Sequence, residues 1–285
     1  MKSLAGKVVA ITGAGGGMGR EMAVLAAGRG ARLALSDWDA EGLEATLALV
    51  RDLGAQVRGD VLDVSDRTAF AAWVEKVVEE FGGVNMAINN AGVSMSGDFS
   101  ELSYEDLDWI VGINLYGVLH GTKEFLPHLI ASGDGALVNI SSLFGLISMP
   151  GQAAYNATKY AVRGLTEAIR EEMLVARHPV TVTCVHPGGI KTGISRNGRK
   201  TSGQDAASLD DMFDTRLART TATKAAEVII DGALSGKARV LVGGDAHLLH
   251  AVGKVLGSRY QDLIALAAPR VMGRSKVSPG SSPRA

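Results

Sequence analysis

The stretch Lys7–Gly19, KVVAITGAGGGMG, decides how this chain is read. Its apolar run Val8–Ile11 is too short for a helix and suits a strand buried in a parallel sheet. Glycines follow at positions 13, 15, 16, 17 and 19, and a helical pattern then runs from Met18 to about Arg29. Strand, glycine turn and helix N-terminus together form a cradle for phosphate. Glycine lets the backbone approach a pyrophosphate closely, and the unpaired N–H groups at the positive end of the helix favour an anion. The spacing Thr12-Gly13-x-x-x-Gly17-x-Gly19 is a variant of the dinucleotide fingerprint, so Gly13, Gly15, Gly17, Met18 and Gly19 are the expected binding positions. With 36 glycines in the chain, a cluster alone says little. The preceding strand and an acidic residue closing the next strand add the context that makes it informative.

Working outward, the whole chain of 285 residues carries a net charge of −1, which offers no electrostatic footprint for nucleic acid. Its 46% hydrophobic content supports a substantial core. The single cysteine, Cys184, excludes an internal disulfide framework, and its place in the apolar run Val180–Val185 makes it a small buried hydrophobe. The first strand begins within seven residues of the start, and no apolar run is long enough to span a bilayer. A soluble, cytoplasmic protein is the expectation.

Strand-like runs recur at Lys7–Thr12, Ala31–Ser36, Gln56–Asp60, Val84–Asn89, Gly135–Ser141, Val180–Val185 and Arg239–Val242. Helical patterns lie between them, near Gly19–Arg29, Ala40–Leu53, Arg67–Phe81, Tyr104–Ile130, Ala153–Ala176 and Lys224–Leu234. This alternation predicts an α/β fold: one doubly wound, seven-stranded parallel sheet with helices on both faces. Residues 1–271 read as a single domain. Gly188–Thr221 is a long polar excursion and a candidate lid over the active site, with Leu209–Leu217 a helix inside it. Ala246–Val271 has apolar residues at helical spacing and reads as a helix packed on the core or a partner subunit rather than on a membrane. Residues 272–285 read as a disordered tail.

The second strand ends in Ser36-Asp37, about twenty residues beyond the glycine turn, where a carboxylate can accept bonds from both hydroxyls of an adenosine ribose. The same carboxylate repels a 2′-phosphate, so Asp37 argues for NAD over NADP. Arg20 and Arg58 are the nearby cations that could reverse that choice. Asp39 is the better cap for the next helix. Asn89-Asn90-Ala91-Gly92 after the fourth strand, and Asp63-Val64 after the third, fall at the C-terminal edge of the sheet, where ligands bind in open α/β folds. Ser142 follows the fifth strand, and Tyr155 comes thirteen residues later with Lys159 one helical turn beyond. An ammonium beside a phenol favours the phenolate, which suits Tyr155 to acid–base work, and Ser142 can bond the same substrate oxygen.

In this order and spacing the chain resembles the short-chain dehydrogenases/reductases over about Lys7–Val242. The matching motifs are Thr12–Gly19, Asn89-Asn90-Ala91-Gly92, Asn114, Ser142, Tyr155-x-x-x-Lys159, and Pro187-Gly188 with Thr192. The resemblance implies a Rossmann-type sheet, a nicotinamide cofactor and an Asn114–Ser142–Tyr155–Lys159 tetrad. Tyr155 would exchange the proton and Ser142 would orient the carbonyl. Lys159 would tune the tyrosine and hold the nicotinamide ribose, and Asn114 would position a water that relays protons to Lys159. Asp63, Val64, Asn90, Ala91, Gly92, Pro187, Gly188, Ile190 and Thr192 complete the expected cofactor contacts, Ile190 and Thr192 at the nicotinamide carboxamide. No metal is needed, and His186 reads as structural. The resemblance also implies a homodimer or homotetramer built on the two long helices.

Val93, Met95, Leu143, Phe144, Met149, Ile194, Met212 and Phe213 are the expected substrate-facing residues, and they are apolar. Arg196, Arg199 and Lys200 fall in the excursion, where solvated charge is the default. An uncharged, fairly hydrophobic secondary alcohol or ketone follows as the substrate class. An NADPH-dependent carbonyl reductase and a non-catalytic dinucleotide sensor are the alternatives.

Overall fold

Strand β1 (Val8–Thr12) is buried along its whole length because both of its faces are covered. Val9 and Ile11 enter one hydrophobic core, while Val8 and Ala10 enter the other. This is the two-residue period of a strand sandwiched between two helical layers. The computed structural model describes residues 1–201 and 218–271.

After β1 come α1 (Gly17–Gly28), β2 (Arg32–Asp37), α2 (Ala40–Asp52), β3 (Val57–Val61), α3 (Arg67–Phe81) and β4 (Met86–Asn89). Short strand β5 (Met95–Ser96) precedes α4 (Tyr104–Val111) and α5 (Gly117–Ala131), which lead to β6 (Gly135–Ile140), α6 (Ala153–Val175) and β7 (Val180–Pro187). Three two-residue strands follow: β8 (Ile190–Lys191), β9 (Arg199–Lys200) and β10 (Thr220–Thr221). The chain then forms α7 (Ala222–Leu234), β11 (Arg239–Val242), α8 (Gly244–Leu256) and α9 (Tyr260–Val271).

The main sheet has the order β11-β7-β6-β4-β1-β2-β3, and every neighbouring pair is parallel. All seven strands fall where the apolar runs predict them, with ends displaced by two residues or fewer. Met22, Leu47 and Ile229 from α1, α2 and α7 pack on one face, and Phe70, Phe125 and Met173 from α3, α5 and α6 on the other. Strand order reverses between β1 and β4. The crevice outside their C-terminal ends is the place where such sheets bind ligands, and the glycine loop and Asn90-Ala91-Gly92 meet there.

Asp39 caps α2 by accepting a bond from Glu41 N. The expected continuous helix Tyr104–Ile130 is instead interrupted by a π-helical turn, Gly112–Tyr116, with Asn114 buried inside it. A one-residue widening of this kind leaves the apolar period nearly intact, so the pattern does not betray it. Ala246–Val271 is two helices rather than one, because Gly257 takes a left-handed φ of 55° between α8 and α9. Tyr260 then packs against Leu143 and Ile147. The excursion is anchored at its described ends, where β9 pairs with β5 and β10 pairs with β8. The expected helix Leu209–Leu217, with Met212 and Phe213, and the expected tail lie outside the described residues. Among the described residues no helix is long and apolar enough to cross a membrane.

Candidate active site

The cradle is built as the glycine spacing demands. Gly13 has a φ of 67°, and a Cβ there would stand 2.8 Å from Ala91 Cα; a Cβ on Gly19 would collide with the Gly13 carbonyl oxygen. Both positions therefore require glycine. Asn90 Nδ2 donates to the carbonyls of Thr12 and Gly13, each at 3.0 Å, and Thr12 Oγ1 accepts from the backbone of Asn90 (3.0 Å) and Ala91 (3.1 Å). Asn90 thus braces the cradle with its side chain. Among the described residues no side chain caps the start of α1 and no acid occupies its first turn, which leaves its N–H groups and positive end to an anion. These features fit a dinucleotide pyrophosphate.

At the far edge of the cradle, Asp37 Oδ2 accepts from Gly15 N (2.7 Å) and Oδ1 from Asp39 N (3.0 Å). Each carboxylate oxygen has two lone pairs, so both can still accept from a ribose hydroxyl. Arg20 is committed to the loop itself. It donates to the carbonyls of Gly15 and Gly42 and, at 3.0 Å, to Thr46 Oγ1. Arg58 is held by both oxygens of Asp60 (2.6 and 2.7 Å) and by Glu80 (2.7 Å). Asp63 turns its carboxylate onto Ser65 at the exposed rim, and Val64 is buried beneath it.

The tetrad residues converge on the same crevice. Ser142 follows β6 and caps a short 3-10 turn, Leu143–Gly145, accepting from Phe144 N at 3.1 Å. Tyr155 and Lys159 lie one turn apart on α6, and both are buried. Ser142 is near enough to the Tyr155 hydroxyl to act on its titration. Lys159 Nζ lies 5.6 Å from the Tyr155 ring centroid and donates to Ile140 O at 3.1 Å. Asn114 clamps the backbone of Val93 from both ends, accepting from its N–H (2.8 Å) and donating to its carbonyl (2.9 Å). Gly92 separates Asn114 from Lys159: a Cβ there would meet Asn114 Oδ1 at 3.2 Å and Lys159 Nζ at 3.3 Å.

The electrostatics differ from the sequence expectation. Burial raises the Tyr155 hydroxyl above its ordinary pKa, and the bond to Ser142 pulls it only partly back. Burial also lowers Lys159 to about 8. Desolvation is the largest cause of both shifts, and it disfavours both charged forms.

Side-chain contacts that the sequence does not foretell hold this geometry. Asn89, Asn139, Thr122 and Thr166 form a buried hydrogen-bonded set joining β4 and β6 to α5 and α6. Ser141 Oγ donates to Lys159 O (2.8 Å), and Asn156 Nδ2 donates to Phe144 O (2.7 Å) and Ile147 O (3.1 Å). Asp245 accepts from Gly189 N at 2.7 Å. Only a three-dimensional neighbour explains any of them, so no spacing in the chain signals them.

His186 is structural: it lies wholly buried with Nδ1 2.9 Å from Ser142 O, and burial depresses it to about 4. Cys184 is buried and its thiol is pushed up to about 12. Pro187 ends β7, and Gly188 N donates to Val242 O at 2.9 Å. Thr192 reaches the cradle, since a Cβ on Gly17 would stand 3.2 Å from its Cγ2. The Ile190 side chain is buried in the main core, which leaves only its backbone to face a ligand.

Met95, Val93 and Phe144 pack with Tyr155. Leu143 does not: the 3-10 turn sends it the other way, under Tyr260 and Leu249. Met149 lines a separate groove of about 670 Å³ with Ala157, Tyr160 and Ile264, on another side of α6. Arg199 is paired rather than solvated, lying 3.1 Å from Asp106.

A family model described as short chain dehydrogenase matches residues 7–203. SadH of Mycobacterium tuberculosis, described as an oxidoreductase, is 51% identical over 265 residues, 93% of this chain and 96% of its own. A short chain dehydrogenase/reductase of Burkholderia phymatum, solved in complex with NAD, superposes with a TM-score of 0.82 at 31% identity, over 99% of this chain and 100% of that one. Levodione reductase superposes with a TM-score of 0.75 at 30% identity, over 86% and 99%. With its parallel sheet, glycine cradle and buried Ser142–Tyr155–Lys159 cluster, the chain belongs to the short-chain dehydrogenase family of oxidoreductases.

Proposed function

We propose that this protein transfers a hydride between NAD(H) and an uncharged, fairly hydrophobic secondary alcohol or ketone, with Tyr155 as the acid–base residue. The observation that carries the reading is one buried cluster, Ser142, Tyr155 and Lys159, at the edge of a cradle closed by Asp37. The bound nicotinamide supplies the hydride acceptor or donor. The glycine loop and the start of α1 would hold its pyrophosphate, and Asp37 would accept from the adenosine ribose. Lys159 would bond the nicotinamide ribose. Ser142 Oγ and the Tyr155 hydroxyl both bond the reacting oxygen. In oxidation Tyr155 takes the hydroxyl proton, and in reduction it returns a proton to that oxygen. Lys159, at about 8, carries its charge over most molecules at neutral pH and offsets the negative charge that develops on the phenol.

Two further observations support the cofactor and the substrate class. Arg20 and Arg58, the cations that could hold a 2′-phosphate, are both tied to other partners. Around Tyr155 the packing is apolar, from Met95, Val93 and Phe144, and Arg199 is matched by Asp106. The homologous enzyme of Burkholderia phymatum was solved with NAD, and another relative is named a levodione reductase.

The test is a panel of neutral secondary alcohols (1-phenylethanol, 2-octanol, cyclohexanol) and their ketones, followed by nicotinamide absorbance. Tyr155→Phe should keep the NAD Kd within about twofold while removing about 10²–10⁴ of turnover, the usual weight of a general acid–base. Wild-type rates in Tyr155→Phe would sink the assignment.

A further inference from the structure

Strand β9 lies beside β5 in parallel register, with Met95 opposite Arg199 and Ser96 opposite Lys200. Arg199 N donates to Ser94 O (3.1 Å) and Thr201 N to Ser96 O (3.0 Å). Ser94 Oγ donates to Ile194 O at 2.8 Å. A pair of two-residue strands has little stability of its own, since few bonds compensate the ordering of both segments. The Arg199 side chain supplies a second hold. Its guanidinium lies over the ring of Trp109, 4.3 Å from the centroid, and donates to Asp106 Oδ1 at 3.1 Å. Glu105 adds a second carboxylate at 3.9 Å. Asp106 is itself fixed at the start of α4, where it and Ser103 form a reciprocal capping box. Trp109 and Met95 belong to the same apolar cluster as Tyr155.

We propose that Arg199 is a positioning residue for substrate: by gripping Trp109 and Asp106 of α4 it holds β9 against β5, and so holds Met95 in place in the wall beside Tyr155. This rests on the proposed reaction at Tyr155. A flat guanidinium both stacks on an indole and bonds a carboxylate, whereas a lysine in its place keeps the charge and loses the stacking face. Because Asp106 matches its charge, the clamp also adds a wall without adding a cation that would select for an anionic substrate.

The experiment compares wild type, Arg199→Ala and Arg199→Lys. Steady-state kinetics use the best neutral alcohol of the panel, NAD binding is followed by titration, and amide hydrogen exchange covers residues 194–201. Arg199→Ala should raise the alcohol KM about tenfold, the combined scale of a half-exposed cation–π contact and ion pair. Its kcat should stay within about threefold and its NAD Kd should be unchanged, with Arg199→Lys recovering part of the loss. The amides of residue 199 and Thr201 should exchange faster in the alanine variant. An unchanged KM overturns the proposal. So does a parallel loss of KM, kcat and NAD binding, which would mean general damage to the fold. A wild-type protein silent on every alcohol overturns the proposed function and the substrate role with it. Exchange then judges the clamp separately, and unchanged rates at 199 and 201 would show that Arg199 does not hold β9.

Discussion

Lys159 should destabilise the protein it serves, and the cost should carry a pH signature. Its ammonium is buried, and burial moves its pKa from the ordinary 10.5 to about 8. At about 1.4 kcal/mol per pH unit, the charged form costs the folded state about 3 kcal/mol. Below pH 8 the lysine is protonated in both folded and unfolded chains, so the whole cost is present. Between about 8 and 10.5 the folded chain has released the proton while the unfolded chain keeps it, so stability rises with pH. Lys159→Met removes the charge and keeps most of the volume, at the price of an unpaired Ile140 carbonyl. That carbonyl costs about 1–3 kcal/mol, so the variant should match or modestly exceed wild type in stability at pH 7. The difference between the two proteins should then move by about 2 kcal/mol in favour of wild type by about pH 9.5. Above the ordinary 10.5 both folded and unfolded lysines are neutral, which sets the upper limit of the window. Urea unfolding of both proteins at the two pH values measures the difference with every other titrating group cancelled. A flat difference, or one that falls as pH rises, would refute the buried-ammonium account. Turnover should be lost in Lys159→Met at both pH values.

Three further outcomes are expected. Gly19→Ala drives a methyl into the Gly13 carbonyl and to 2.8 Å from Asn90 Nδ2, so calorimetric titration should show NAD binding weakened about a hundredfold or more, in line with a lost cradle. Asp37→Ser combined with Trp38→Arg should shift the kcat/KM ratio towards NADP. The wild type should favour NAD more than about a hundredfold, since the lost bonds and added repulsion total about 3 kcal/mol after screening. In light scattering at micromolar concentration the protein should run as a homodimer or homotetramer through α5 and α6, and a monomer would count against that assembly.

The parts of the fold legible in the sequence are those in which burial alone decides. Val8–Ile11, Leu33–Leu35 and Ala136–Val138 are apolar because both sheet faces are covered, and such runs can be read without knowing what covers them. The glycine loop is legible for a similar reason, since a Cβ at Gly13 or Gly19 is excluded by backbone close at hand. Legibility fails where one residue's direction depends on a local turn. Leu143 and Phe144 are adjacent and both apolar, yet the turn after Ser142 puts Leu143 under Tyr260 alone, while Phe144 also reaches Tyr155. The widened turn at Gly112–Tyr116 and the break at Gly257 are of the same kind: each changes where a helix points while leaving its apolar spacing nearly untouched. The Tyr155–Lys159 pair shows a third limit. Spacing fixes the attraction between the two groups, but the desolvation that opposes it belongs to everything packed around them.

The arginines make the point with most bearing on function. Arg20 and Arg58 are the cations with a bearing on the cofactor cradle, and Arg199 lies against Trp109 of the cluster that holds Tyr155, so each could in principle recruit an anion: a 2′-phosphate for the first two, a substrate carboxylate for the third. A charge count leaves all three possibilities open. Their contacts weigh against each in turn. Arg20 is consumed in tying Gly15 to Gly42 and Thr46, and Arg58 is chelated by Asp60 and Glu80. Arg199 stacks on Trp109 against Asp106. Recruiting any of them to a phosphate or carboxylate would leave a carboxylate or a backbone carbonyl unpaired, a loss comparable to the bond gained. Among the described residues Asp37 has only the backbone bonds from Gly15 and Asp39, so its remaining lone pairs are available to a ribose, and its preference should reach the ligand undiminished.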